Sequence, residues 1–342
     1  MHSHPATDED WSIQTMTKDQ WLVVRKQIPD GAKEPWTVML WVADLLLLVL
    51  AWNFWLSEST ALQVLGLLVA GLATVQLYLI LHEALHGATS DNRRLNDIIG
   101  HFNGWLIALP FLVRRRFHMA HHTWTAHPLN DPENRGMIER FAVMTKKQER
   151  TLEFMWKHWL PMIAVNHFLL NWRAPFIARA QGDDSPRILK EIRFARLYLV
   201  GYGVVAAVAW AFGHLADLAL FYLIIWLFLA LIVELVNLPH HAEAPLLAKD
   251  GERLQFWEQD RVSHDCKSVP VWSRFVILNF NLHIVHHAFP SVPWYRLPEA
   301  HRMLHEQDGS PAASQLNEWD FSRKNRRRPL LKLMGHFFDH RA

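Results

Sequence analysis

The sequence predicts an all-α integral membrane protein, with four transmembrane helices in two hairpins and a cytoplasmic helical cap that carries clustered histidines. Three observations predict it. Four apolar runs reach or approach the roughly 20 residues that a helix needs to cross a bilayer. Lysine and arginine are missing from the two long stretches that contain those runs. Histidine is abundant, at 22 of 342 residues, and falls in tight groups.

The runs 36–56, 61–81 and 215–236 are each long enough to span. The run 197–212 is shorter and extends toward Arg196, whose aliphatic stem can lie along lipid while its head stays in water. No Lys or Arg occurs between Lys33 and Arg93, nor between Arg196 and Lys249. All 35 basic side chains then lie on one side of a two-hairpin arrangement, which places both termini in the cytoplasm and, in a bacterium, the chain in the inner membrane. The 17 tryptophans suit the water–lipid boundary.

Three further apolar stretches, 98–113, 155–172 and 270–282, are broken by polar residues or too short. They read as interfacial or re-entrant segments. The whole chain, 1–342, reads as one domain. It comprises a cytoplasmic N-terminal segment (1–35), hairpin one (36–81), a cytoplasmic or interfacial region (82–196), hairpin two (197–236) and a cytoplasmic C-terminal region (237–342). Residues 1–11 are polar and acidic, unlike a signal peptide. A net charge of +2 gives no reason to expect nucleic acid as a partner. The single cysteine, Cys266, rules out a disulfide within the chain and any site built from several thiolates.

The histidine groups are His82-Glu83-Ala84-Leu85-His86, then His118, His121 and His122, then His283, His286 and His287. Residues spaced i, i+3, i+4 share one face of a helix, so each group is expected to present its imidazoles in one direction. Converging neutral imidazoles are what a transition metal needs. A fourth element, Asn237-Leu238-Pro239-His240-His241, closes the last apolar run, with Asn237 and His241 at i, i+4 spacing. In the two-hairpin arrangement all four elements lie on the cytoplasmic side.

These residues resemble the membrane fatty acid desaturase and hydroxylase superfamily, whose three histidine boxes are H-x3/4-H, H-x2/3-H-H and [H/Q]-x2/3-H-H. All three occur here in that order. The stretch from His286 to Pro293 and the Asp131-Pro132-Glu133 triplet are similar to sequences that follow the third and second boxes. The resemblance implies a di-iron site with nine histidine ligands: His82, His86, His118, His121, His122, His283, His286 and His287, with His241 as the ninth and His240 in reserve. It implies that Asn237 contacts a metal through water. It also implies O2 as co-substrate, a lipid acyl chain as substrate, and an external electron donor such as a ferredoxin, a rubredoxin or a b-type cytochrome. The sequence carries no fused cytochrome motif (His-Pro-Gly-Gly).

Around such ligands, carboxylates orient the rings, and Glu83, Asp131 and Glu133 are the candidates. His127 reads as a turn or supporting histidine, and His101 similarly. His2, His4, His336 and His340 read as idle. Asp44, inside the first run, is expected to pair with Gln76 on its antiparallel neighbour. The basic run 323–328 is expected to meet anionic lipid headgroups. Two rival readings stay open. One is a hydroxylase or ketolase of a lipid, carotenoid or alkane on the same ligands. The other is a histidine-rich metal transporter, which should hold its ligands near the bilayer midplane.

Overall fold

The computed structural model describes residues 16–242, 244–308 and 316–333. The segment 1–11 and His2, His4, His336 and His340 fall outside them. Within these residues no strand occurs. The helices are α1 (Lys18–Gln27), α2 (Trp36–Trp55), α3 (Thr60–His86), α4 (Arg93–Leu106), α5 (Phe111–Trp124), α6 (Pro132–Ala142), α7 (Lys146–Lys157), α8 (Met162–Ala180), α9 (Pro186–Ala211), α10 (Leu215–His241), α11 (His283–Ala288), α12 (Leu297–Asp308), α13 (Glu318–Asn325) and α14 (Leu330–Leu333). Two 3-10 turns, Phe256–Arg261 and Trp294–Arg296, and a π-helical turn, Trp272–Val276, punctuate the C-terminal third.

Four helices, α2, α3, α9 and α10, are long and apolar enough to cross a membrane. Rows of bare hydrophobic side chains run along them, such as Met39, Val42, Leu46 and Val49 on α2 and Leu197, Val200, Val204 and Val208 on α9. Surfaces of this kind fit hydrocarbon and are rare in water.

Three of the four helices outrun their apolar stretches. The helix α3 continues past residue 81 to His86 and stops at Gly87, whose φ of 73° lies in the left-handed region that glycine adopts at least cost. The helix α10 passes through Pro239 to His241, although that proline forfeits the bond its N–H would give to the residue four back. The helix α9 begins at Pro186 rather than near 197. A helix ends where its backbone bonds end, and polar side chains are tolerated where protein covers them. Leu79 to Leu85 are all buried, and on α9 Glu191 is held by Arg116 at 2.8 Å.

The stretch 98–113 forms no single helix long enough to cross a membrane. It is divided between α4 and α5 by a turn at 107–110, where Ala108 takes a φ of 59°. The helix α4 is tied onto α3: Asn103 Nδ2 donates to the Leu77 carbonyl at 3.0 Å, and Asn96 Nδ2 to that of Ala84 at 3.0 Å. Gly100 lies so close to the Phe111 ring that a Cβ there would approach within 2.3 Å. This packing returns α5 alongside the last turns of α3. The stretch 155–172 likewise divides between α7 and α8.

One expectation fails here. Gln76 donates to the Phe275 carbonyl rather than to Asp44, because the π-helical turn packs against α3 beside it. Asp44 is fully buried and neither carboxylate oxygen has a hydrogen-bond partner. In the basic run 323–328, Arg323, Lys324 and Arg327 are exposed, whereas Arg326 is buried. Arg326 points inward, pairs with Glu234 of α10, and lies 4.0 Å over the Trp156 ring.

Candidate metal centre

The last two turns of α3 deliver His82 and His86, α5 delivers His118, His121 and His122, the end of α10 delivers His241, and α11 delivers His283, His286 and His287. All nine converge, but not as one cluster. His82, His86, His118, His122 and His286 form a group whose ligand atoms all lie within 4.8 Å of one another. His121, His241 and His287 form a second such group. His283 joins the second, its Nε2 lying 3.0 Å from that of His241 and 3.1 Å from that of His287. The groups abut where the His122 and His287 rings stack at 4.1 Å.

This division corrects the expectation that each box points one way. In α5, His118 and His122 belong to the five-histidine group and His121 to the four-histidine group. In α11, His283 and His287 belong to the four and His286 to the five. Residues i and i+4 are about 40° apart around a helix of 3.6 residues per turn, whereas i+3 and i+4 are about 100° apart. The spacing H-x-x-H-H therefore sends its i, i+4 pair to one centre and its middle histidine to the other.

The ring nitrogens are arranged as ligands rather than as hydrogen-bond partners. Nε2 of His118 lies 2.8 Å from that of His86 and 3.1 Å from that of His122, which lies 3.1 Å from that of His286. A ring nitrogen offers either one proton or one lone pair, so such chains of contacts cannot all be satisfied bonds. His82 Nε2 is buried with no partner at all. Two nitrogens at right angles around one ion, each about 2.0–2.1 Å from it, lie about 3 Å apart, which is the spacing seen. The residues present therefore fit transition-metal binding, with the donors in two groups. Protonation agrees: burial, followed by neighbouring histidines, holds His118, His122, His283, His286 and His287 well below the usual imidazole range, in the neutral form that binds metal.

The four-histidine group is braced from outside. His121 Nδ1 meets Asp131 Oδ2 at 2.9 Å, His287 Nδ1 meets Gln259 Oε1 at 3.2 Å, and His241 Nδ1 meets the Val262 carbonyl at 3.3 Å. Burial disfavours charge on His121, but Asp131 and Glu133 outweigh it and raise its pKa. Asp265 accepts the Ile284 N–H at 2.7 Å, capping the first turn of α11.

Of the carboxylates singled out from sequence, only Asp131 bonds an imidazole. Glu83 instead accepts the Trp294 N–H at 3.0 Å, and Glu133 pairs with Arg114 at 2.7 Å. Burial pushes Glu133 up, but His121 and Arg114 hold it down. His127 closes its own turn by accepting the N–H groups of Leu129 and Asn130 at 3.1 Å. His240 turns away from the nine, donating Nδ1–H to the His264 carbonyl at 2.8 Å. Asn237 donates to Tyr78 Oη at 3.2 Å and to the Val233 carbonyl. Sequence reading missed Gln259 and Asp265. Both lie in the polar stretch 255–265 shortly before the third box, where nothing in the sequence sets them apart from their polar neighbours.

A cavity of about 160 Å³ opens beside the four-histidine group. His118, His121, His241 and His283 reach it, its polar wall includes Tyr78 and Asn237, and Met137, Ile163, Val233 and Leu238 supply apolar walls.

Comparison with known proteins accords with this geometry. The sequence model of the family described as Fatty acid desaturase matches residues 58–315. A probable fatty acid desaturase of Sorghum bicolor is 24% identical over 295 residues, covering 81% of this chain and 73% of that protein. The sn-2 acyl-lipid omega-3 desaturase (ferredoxin), chloroplastic, of Helianthus annuus is 25% identical, covering 81% and 64%. The Delta(12) fatty acid desaturase of Mortierella isabellina is 23% identical, covering 68% and 65%. The chain spans between about half and about three quarters of the length of such relatives. A family match over most of the chain, on the helices that carry the histidine groups, places it: the protein belongs to the fatty acid desaturase family and is an oxidoreductase.

Proposed function

We propose that the protein is an O2-dependent lipid acyl desaturase in which the nine histidines hold two irons. The observation that carries this reading is the convergence of nine imidazoles, from four helices, into groups of five and four next to a largely apolar cavity. The five nitrogen donors of the larger group exceed what a zinc site uses, normally three or four ligands.

Bound there, the irons supply the oxidising power to remove two vicinal hydrogens from an acyl chain, with O2, two external electrons and two protons yielding a double bond and two waters. The chain's own residues set the conditions. Asp131, Gln259 and the Val262 carbonyl keep Nδ1 protonated on their histidines and so aim Nε2 at the metal. Met137, Ile163, Val233 and Leu238 hold the acyl segment and exclude water. Asn237, held by Tyr78, stands beside His241 to orient water. Both termini and the site face the cytoplasm, where a ferredoxin, rubredoxin or b-type cytochrome supplies electrons. Desaturation and hydroxylation share these ligands and differ in substrate placement, so the product decides between them.

The test is a lipid comparison by mass spectrometry of cells with and without the chain, and with His86→Ala. A new acyl unsaturation that the variant abolishes is expected. A hydroxylated product, or lipids indifferent to the chain, would overturn the reading.

A further inference from the structure

Behind His283 lies a second set of metal-type donors outside the nine-histidine cluster. His240, in the last turn of α10, stacks on the His283 ring at 4.3 Å. Beside it are Cys266, from the coil before the π-helical turn, and Glu318, the first residue of α13. One donor atom from each of the three lies within 4.8 Å of the others. The relative exposures are 0%, 6% and 0%, so all three are sealed from solvent. They are far apart in sequence and meet only through the fold.

Cys266 Sγ lies 4.0 Å from His240 Nδ1; beyond that contact, hydrogen bonding leaves this set unsatisfied. The His264 carbonyl can only accept, so its 2.8 Å contact fixes the proton on His240 Nδ1 and leaves the lone pair on Nε2. That Nε2 is buried with no partner. Glu318 Oε2 accepts from Trp272 Nε1 at 3.1 Å, while Oε1 is buried with no partner. No basic side chain pairs with Glu318 among the described residues, and burial pushes it up to about 7. Buried charges are normally paired or bound to a metal, because an isolated one loses its hydration without compensation.

We propose that His240, Cys266 and Glu318 form a third metal site, separate from the nine histidines, which takes one zinc ion. The donor set is one imidazole, one thiolate and one carboxylate, the three ligand types zinc accepts, with a water in the fourth position. A thiolate favours zinc over the hard cations magnesium and calcium. Thiolate and carboxylate together balance the double charge of the ion, so a neutral unit replaces an unpaired carboxylate. The imidazole arrives already oriented by its carbonyl partner, as metal-binding histidines usually are. Once filled, the site pins the end of α10, the coil at 266 and the start of α13 together directly behind His283.

The experiment is metal analysis of the full chain purified in detergent and supplied with iron and zinc. One zinc per chain is expected in addition to the iron. Cys266→Ser and Glu318→Gln should each lose the zinc and keep the wild-type iron content. Cobalt(II) exchanged into the wild type provides a check independent of variants, since a thiolate ligand gives a sulfur-to-cobalt charge-transfer band in the near ultraviolet. An iron-loaded protein without zinc, zinc that Cys266→Ser retains, or cobalt uptake without that band would each overturn the proposal. Because the iron content is read in the same sample, failure of this site is distinguishable from failure of the iron reading.

Discussion

The two histidine groups are held in place by different means. Three of the four rings in the smaller group hydrogen-bond through Nδ1 to an outside partner, namely Asp131, Gln259 and the Val262 carbonyl. In the larger group, Nδ1 of His118 and of His122 are buried with no such partner. Those rings are held by packing: His82 meets the Phe280 ring edge-on at 5.0 Å, and His86 meets the His118 ring at 4.7 Å. The difference follows from what carries them. Four of the five sit at i, i+4 spacing on the long helices α3 and α5, whose rigidity sets their direction. The smaller group draws three of its four rings from the short helix α11 and the end of α10 beyond a proline, where the backbone alone does not fix a ring. Gln259 and the Val262 carbonyl supply there what helix length does not, while His121, on α5, is held by Asp131.

Variants can break this comparison. The largest effects belong to the ligands. His286→Ala removes from the five-histidine group its one contribution from α11, and His121→Ala removes from the four-histidine group its one contribution from α5. Each should abolish turnover in an acyl-product assay, and full activity in either would sink the two-group arrangement.

Next comes Asp131→Asn, which keeps the shape but removes the charge that holds His121. A loss of about 10–100-fold in metal affinity or activity is expected, as for other outer partners of metal-bound histidines. Chelator titration should show one of the two irons leaving early. If both leave together, the groups are not braced independently.

Gln259→Leu should cost less, about tenfold, the lower end of the same range, because a neutral amide bonds more weakly than a carboxylate. It too should loosen only one iron.

The smallest effect is expected in the packed group. Phe280→Leu removes no hydrogen bond but leaves a small gap in a buried site, so it should lower stability by about 0.5–3 kcal/mol, measured by thermal unfolding in detergent, with the iron content unchanged. Loss of iron in Phe280→Leu alongside retention in Asp131→Asn would invert the comparison.

Much of this was legible in the sequence, and the illegible parts share a cause. Spacing alone marked the eight box histidines, because helical periodicity is a local property. Hydropathy marked four spans but misplaced the ends of α3, α9 and α10, because an apolar run reports lipid contact while a helix continues under protein cover. The division of each box between two groups follows from the 100° step between adjacent residues, yet it needed the facing helix to show which side each ring meets. Partners distant in sequence were out of reach: Gln259 for His287, Glu234 for Arg326, Trp294 for Glu83. A charged residue in a sequence does not declare whom it will meet, which is why Glu133 was read as a partner for imidazole when Arg114 holds it.

The central claim is that nine histidines form two unequal metal centres. Mössbauer spectroscopy of the chain loaded with iron-57 tests it most directly, in concert with the iron count. The account predicts two irons per chain and two distinguishable signals of equal area, one from the five-histidine and one from the four-histidine environment. A single iron per chain, or signals in a ratio other than one to one at full loading, would contradict it.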